Sequence, residues 1–209
     1  MSHNLTTALR RHLSALRVLL VLTVVTGVLY PLAVTGVAQA AFGHRANGSQ
    51  VTRDGRTVGS SLIGQTFDLP KKDPGDPQEA ARPDPKWFQP RPSAGSYDPL
   101  ASGASNLGPN SRDLVAAVEQ RRKAIAAFDG VAPERVPADA VTASGSGLDP
   151  DISPAYAYEQ VARVAKARGL PQDRVHRLVA AHVQGRTLGF LGAQAVDVLD
   201  LNLALADLR

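Results

Sequence analysis

An uncharged apolar run near the N-terminus constrains the fold of this chain more than any other feature. Residues 18–42 form 25 consecutive positions without a formal charge, rich in Val, Leu and Ala. A helix of about 20 apolar residues is long enough to cross the hydrocarbon core of a bilayer. The run therefore predicts one transmembrane helix, in which Gly27 and Pro31 introduce a kink or a surface for packing against another helix.

The charges before this run predict its orientation. Arg10, Arg11 and Arg17 precede the span, and basic residues are retained on the cytoplasmic side of a membrane. Residues 1–17 are therefore predicted to be cytoplasmic. Residues 43–209 are predicted to form a mixed α/β domain on the extracytoplasmic side of the cell (inner) membrane.

A cleaved secretory signal is the alternative for the same run, because Ala38-Gln39-Ala40 resembles a signal-peptidase site. The run exceeds the roughly 7–15 apolar residues of such a signal, which favours a retained anchor. The chain has no cysteine, so disulfides, thiolate nucleophiles and zinc–thiolate sites are excluded. Aromatic residues make up only 5% of the chain, and we expect no nucleic-acid partner because few side chains can stack on bases.

The outer part shows both helix and strand patterns. Residues 55–67 predict a turn and a strand. Residues 70–99 hold eight of the fifteen prolines, which predicts an extended surface crossing without helix or central strand. Within this crossing, Trp87 and Phe88 are expected to attach the segment to the core.

Helical periodicity predicts three helices in the same domain, beginning near residue 110, at Ala155 and at Pro171. Residues 141–143 predict a short strand that leads into a glycine-rich loop. Residues 196–205 alternate leucines with other side chains, which favours a half-buried strand, although the same leucines also fit a helix.

Two loops have unusual compositions. Residues 144–154 combine two glycines, two aspartates, three serines and two prolines, and Ser153 and Pro154 are suited to begin the following helix. Residues 102–109 are small and polar, which permits close approach of another backbone. This second loop is either a docking surface or an ordinary connection into the next helix.

Residue types that carry catalysis or bind metals occur without a matching pattern. The five histidines lack metal-ligand spacing, and no serine lies in a nucleophile elbow. Asp149 and Asp151 flank Pro150 and can bind a cation, although turn-forming and capping aspartates are more common. We expect no catalytic residue, no metal site and no covalently bound cofactor.

Several motifs together resemble the KdpC family. They lie in order at residues 59–67, 88, 91–94, 102–109, 144–154 and 201–203. Members of that family are single-span subunits of the KdpFABC potassium-transporting P-type ATPase of bacteria and archaea. The chain departs from the family pattern in a longer connection at 71–83 and at Asp197, where asparagine is expected.

The resemblance implies an accessory subunit rather than an enzyme by itself. The implied partners are a channel-like subunit that binds the transported potassium, a P-type pump subunit that hydrolyses ATP, a small single-span subunit and membrane lipid. Family members are described as catalytic chaperones that raise the ATP affinity of the pump subunit. An outer domain would exert this effect allosterically, through subunit contacts.

Two hypotheses follow for the domain. In the first, both loops dock over the external mouth of the channel-like subunit, and Asp149 and Asp151 attract cations toward it. The docking candidates are Ser102, Ser105, Asn106, Gly108, Ser144, Gly145, Ser146 and Gly147. In the second, the domain binds nucleotide directly and presents ATP to the pump subunit through Gln65, Ser144 and Ser146. The 144–154 loop lacks a Walker pattern and a nearby lysine, so it supports this second hypothesis weakly.

Overall fold

The computed structural model describes residues 2–76 and 79–208. Met1, residues 77 and 78 of the predicted crossing, and Arg209 lie outside the described residues. The chain divides into two compact units, Met1–Gln50 and Val51–Arg209, and each is described by itself.

The first unit is a long, largely apolar helical segment with a π-helical turn and a kink at Phe42. Helix α1 (Ser2–Val24) continues through a π-helical turn (Val25–Leu29) into α2 (Tyr30–Ala46). Residues Thr7–Ala46 are long and apolar enough to cross a membrane, and their most apolar window is unburied within the protein. The long apolar helix predicted around residues 18–42 is thereby confirmed.

The π-helical turn contains Gly27 and ends two residues before Pro31, the two residues that predict an irregularity. Proline lacks an N–H, and its ring clashes with the carbonyl four residues earlier, which for Pro31 is that of Gly27. Just before this proline, the Tyr30 N–H donates to the Val25 carbonyl, five residues earlier rather than the usual four. A π turn widens the helix locally, so the helix passes the proline without ending.

A β-hairpin opens the second unit. Strands β1 (Gln50–Arg53) and β2 (Arg56–Ser60) form a two-stranded sheet. Asp54 and Gly55 between them have φ values of +51° and +75°, which are typical of a two-residue hairpin turn whose twist matches the strands. The strand predicted within residues 55–67 therefore covers the first half of that segment.

The proline-rich crossing has the predicted extended form. Its described residues lie in neither helix nor strand. Phe88 has no exposed surface, and its backbone N–H and carbonyl both bond to the Asn202 side chain at 2.9 Å. Trp87 packs against the core beside Phe67, with ring centroids 6.3 Å apart. Both predicted aromatic anchors thus hold the crossing to the core.

Helices dominate the rest of the second unit. They are α3 (Arg112–Asp129), α4 (Ala138–Val141), α5 (Pro154–Glu159), α6 (Val161–Arg168), α7 (Gln172–His182) and α8 (Val198–Asp207), with a 3-10 turn at Pro133–Arg135. Strands β3 (Asp151–Ile152) and β4 (Val196–Asp197) pair antiparallel. Ser111 and Ser153 accept backbone N–H bonds as the N-caps of α3 and α5. The predicted mixture of helix and sheet is confirmed.

Two strand predictions are wrong. Residues 141–143 form no strand, because Val141 ends α4 and the Thr142 hydroxyl donates to the Ala138 carbonyl at 2.8 Å. Residues 196–205 contain only the two residues of β4 before α8 begins. The buried residues of α8 are Val198, Leu199, Leu201, Asn202 and Leu205. That spacing is one face of a helix, and its burial outweighs the local alternation of leucines.

A buried ion pair joins three parts of this unit. Arg163 Nε donates to Asp129 Oδ1 at 2.5 Å, and their side chains are 5% and 1% exposed. Arg163 Nη1 also donates to the carbonyls of Pro85 and Trp87 at 2.8 and 2.9 Å. Its guanidinium carbon lies 4.4 Å from the centroid of the Phe128 ring. Because its donors meet acceptors, this buried cation can hold α3, α6 and the crossing together.

Candidate docking site

The two small-residue loops predicted from the sequence lie against each other. Gly103 N–H and Ser102 Oγ both donate to the Ser146 carbonyl, at 2.8 and 3.0 Å. Gly147 has φ +68°, and a Cβ added there would lie 2.7 Å from the Gly103 carbonyl oxygen. Only glycine permits this approach, so the two loops are interlocked through their backbones.

A third segment joins the same place. Gly64 N–H donates to the Leu148 carbonyl at 2.8 Å. A Cβ on Gly64 would lie 2.5 Å from the Tyr97 ring and 2.6 Å from the Asp149 carbonyl oxygen. We call the combined structure the loop junction, comprising residue 64, residues 91–109 and residues 144–149. Its backbone segments meet at distances that leave no room for a side chain at these glycines.

Ser93 joins two segments of the loop junction through its hydroxyl group. Its Oγ donates to the Gly147 carbonyl at 2.7 Å and accepts the N–H groups of Gly95 and Tyr97 at 3.2 and 3.0 Å. The Tyr97 hydroxyl donates to the Arg91 carbonyl at 2.7 Å, and burial raises the pKa of this phenol. The sequence motif 91–94 contains two of these residues, but their role became clear only from contacts between distant segments.

Asp149 is paired inside the loop junction. Its Oδ2 accepts from Arg91 Nη1 at 2.8 Å, and its Oδ1 accepts the Asp151 N–H at 3.1 Å. The pKa of the Asp151 carboxyl is raised by burial and further by the charges of Asp149 and Asp200. Because Arg91 offsets the charge of Asp149, the predicted attraction of cations depends mainly on Asp151, and it stays a prediction.

The docking candidates differ in their exposure. Ser144 and Gly147 are buried, and the Ser144 hydroxyl accepts the Gly147 N–H at 2.8 Å. The exposed candidates are Ser102, Ser105, Asn106, Gly108, Gly145 and Ser146. Leu100 in the same junction is 95% exposed. Leu107 is 40% exposed. The loop junction therefore has a bonded interior and a mostly polar rim that also exposes two leucines.

Two residues proposed to bind nucleotide, Gln65 and Ser146, have close contacts within the protein itself. A Cβ on Gly59 would lie 2.8 Å from Gln65 Oε1, and Gln65 lines a cavity of about 230 Å³ that includes Leu199 of α8. Ser146 Oγ accepts the Leu148 N–H at 3.1 Å. The Ser146 hydroxyl thus already accepts an internal bond, and the Gln65 side chain packs closely against Gly59.

A larger groove of about 590 Å³ lies beside the loop junction. Its basic lining residues are Lys71 and Arg91, and its acidic ones are Asp68 and Glu79. Arg91 is already paired with Asp149, so the groove offers little positive charge to a triphosphate. Among the described residues, no group of three His, Cys, Asp or Glu side chains is placed to hold a metal ion.

These features define a class: a small mixed helix-and-sheet domain attached to one long apolar helix. Comparison with known proteins identifies the family within that class. The family model described as "K+-transporting ATPase, c chain" matches residues 12–207. The chain belongs to this family, KdpC.

Individual relatives agree over nearly the whole chain. A protein of Kineococcus radiotolerans is 56% identical over 207 residues, covering 98% of this chain and 97% of the relative. One of Streptomyces coelicolor is 50% identical over 221 residues, covering 100% and 97%. Both are named potassium-transporting ATPase KdpC subunit. The predicted membership of a potassium uptake complex, as a subunit rather than an enzyme by itself, is confirmed.

Proposed function

We propose that this chain is a non-catalytic accessory subunit that stabilises the potassium-transporting complex by docking its loop junction onto the channel-like, potassium-binding subunit. The observation that carries the proposal is the interlock of Gly103 with Ser146 and of Gly64 with Leu148. Rigid loops lose little conformational freedom when a partner binds. The polar rim then offers hydroxyl and backbone groups at fixed positions.

The proposed arrangement in the membrane follows the charges. Residues 1–17 are cytoplasmic, residues 18–42 span the membrane, and residues 43–209 are extracytoplasmic. Three arginines before the span support this orientation. The apolar helix, whose surface is unburied within the chain, contacts lipid, the pump subunit and the small single-span subunit.

The proposed effect on ATP is indirect. Docking favours the state of the complex in which the pump subunit binds ATP more tightly, and linkage requires that ATP binding favours docking equally. Direct binding of nucleotide by this chain has less support, because Gln65 is packed against Gly59 and Ser146 is bonded to Leu148. Potassium is the ion that the complex transports, and ATP belongs to the pump subunit.

Substitutions on the rim test the docking proposal. Gly145 is exposed with open space around an added Cβ, so Gly145→Arg tests the surface without disturbing the interlock. Ser105→Arg makes the same test on the other loop. We expect each to reduce the complex that co-purifies with the tagged chain by about tenfold or more, as for a central interface residue.

The matched control is Ala116→Arg, which adds the same charge to an exposed position on α3. It is expected to co-purify like the unsubstituted chain. Thermal unfolding of each purified variant in detergent checks that the fold is retained. Normal assembly of both loop variants, with their folds intact, would contradict docking through this surface.

A further inference from the structure

A rigid hairpin projects between α7 and β4. Gln184 and Ala195 exchange backbone bonds at 2.8 and 3.3 Å, and Thr187 and Leu191 exchange bonds at 3.0 and 2.9 Å. The Gly189 N–H also donates to the Arg186 carbonyl at 3.0 Å. Residues 184–195, here called the 184–195 hairpin, therefore have a defined backbone rather than that of an unstructured loop.

The tip of the 184–195 hairpin exposes large apolar side chains. Leu188 is 80% exposed, Phe190 is 69% exposed and Leu191 is 50% exposed. Three such side chains within four residues form a contiguous apolar surface, and such a surface marks a contact with another molecule. The hairpin contains Arg186 and no acidic residue, so it is positively charged beside the apolar tip.

The backbone at the tip is held in an unfavourable conformation. Leu188 has φ +55°, and Gly189 and Gly192 follow with +82° and +80°. Glycine adopts these values freely, but leucine does so at an energetic cost. Strain of this kind persists where surrounding bonds fix a functional geometry.

The hairpin is continuous with the loop junction. Its last residue, Ala195, precedes Val196, which pairs with Ile152 in the β3–β4 sheet. Ile152 in turn follows Asp149 of the junction by three residues. One short sheet thus connects the base of the hairpin with the segment that follows the loop junction.

We propose that the tip of the 184–195 hairpin is a second docking element, which inserts Leu188 and Phe190 into an apolar pocket of another protein subunit, with an acidic group at the pocket rim facing Arg186. The proposal rests on the proposed function, since it requires assembly into the complex. A fixed, strained backbone favours a shaped protein pocket over lipid, because a fluid bilayer accepts apolar side chains in any direction.

Site-specific photocrosslinking in the assembled complex tests this element. A benzophenone amino acid replaces Phe190 in the tagged full chain, co-expressed with the other subunits, and the purified complex is irradiated. The matched control replaces Val115, an apolar side chain of α3 that is 50% exposed. We expect about tenfold more adduct with a protein subunit at position 190 than at position 115. We also expect Phe190→Ala to weaken retention of the chain in the complex by about tenfold or more.

The outcomes separate this proposal from the proposed function. If the complex purifies but position 190 gives only lipid adducts, or no more protein adduct than position 115, the pocket proposal is overturned and the proposed function stands. If the unsubstituted chain purifies without other subunits, both are overturned. A protein adduct at 190 together with lost retention of Phe190→Ala supports the pocket.

Discussion

Asp197 is a buried acidic residue whose ionised form destabilises the folded domain. It occupies a position where the resemblance predicts asparagine, and it is almost fully buried at the start of α8. Its Oδ1 accepts the Asp200 N–H at 2.9 Å as an N-cap. Burial, followed by the charges of Asp200 and Asp151, raises the pKa of this carboxyl to about 6. The carboxylate form is therefore disfavoured in the folded domain.

The pH dependence of stability follows from this pKa. An unfolded aspartate has a pKa near 3.8, so between about pH 4 and pH 6 the folded state binds more protons than the unfolded state. The contribution of Asp197 to the free energy of unfolding therefore falls as pH rises through that window. Stability that is present at low pH is lost at neutral pH.

Asp197→Asn is predicted to stabilise the chain at about pH 7.5 and to have little effect at about pH 4. Asparagine keeps the oxygen that caps α8 but carries no charge. The expected gain in the free energy of unfolding at the higher pH is about 1–3 kcal/mol. Thermal unfolding of the full chain in detergent at both pH values measures it.

The control is Glu119→Gln, which removes an exposed carboxylate from α3 and is expected to change stability little at either pH. Glu159 also titrates in this range, because burial and then Asp129 raise the pKa of its carboxyl to about 7. It contributes equally to both proteins, so the difference isolates Asp197. Equal stabilisation at both pH values would contradict the electrostatic account.

At the scale of elements, local signals were predictable and distant contacts were not. Ser153 and Pro154 predict the start of α5 because capping depends on neighbouring residues. The composition predicts a shaped loop at residues 144–154, and at residues 102–109 it permits close approach of another backbone. The bond from Ser102 to Ser146 spans 44 positions, and nothing in either segment specifies the other as its partner.

The strand prediction at residues 196–205 was wrong because it, too, depended on contacts with distant residues. Its alternating leucines satisfy a strand pattern locally, and the helix is selected by core burial of residues such as Leu201 and Leu205. The Asn202 side chain bonds to the Phe88 backbone from within α8. Such a partner lies far away in sequence, so periodicity alone favoured the wrong element.

Two glycines of the 144–154 loop are predicted to respond differently to alanine. Gly147→Ala places a Cβ 2.7 Å from the Gly103 carbonyl oxygen in a left-handed backbone, and is expected to lower the free energy of unfolding by about 1–3 kcal/mol. Gly145→Ala meets open space and is expected to stay within about 0.5 kcal/mol of the parent. Thermal unfolding in detergent compares them, and equal effects would contradict the interlock.

At the scale of the whole molecule, composition and charge predict the anchor and its orientation. The apolar helix follows directly from the uncharged run. The interaction surface required the structure, because exposure divides the docking candidates into buried Ser144 and Gly147 and the exposed rim. The three-subunit environment proposed for the chain cannot be derived from its own contacts, and it depends on family membership.

A single cysteine-labelling experiment tests whether the loop junction is extracytoplasmic and docks onto a partner subunit. The chain contains no cysteine, so Ser105→Cys, Ala116→Cys and Thr7→Cys each introduce one thiol. A membrane-impermeant maleimide is applied to intact cells that express each variant alone or with the other subunits.

We expect position 105 to be labelled in intact cells when the chain is expressed alone and to be protected in the assembled complex. Position 116 is labelled in both cases, and position 7 only after the cells are lysed. Labelling of position 105 only after lysis would contradict the outer location. Equal labelling of position 105 with and without the other subunits would contradict docking through the loop junction.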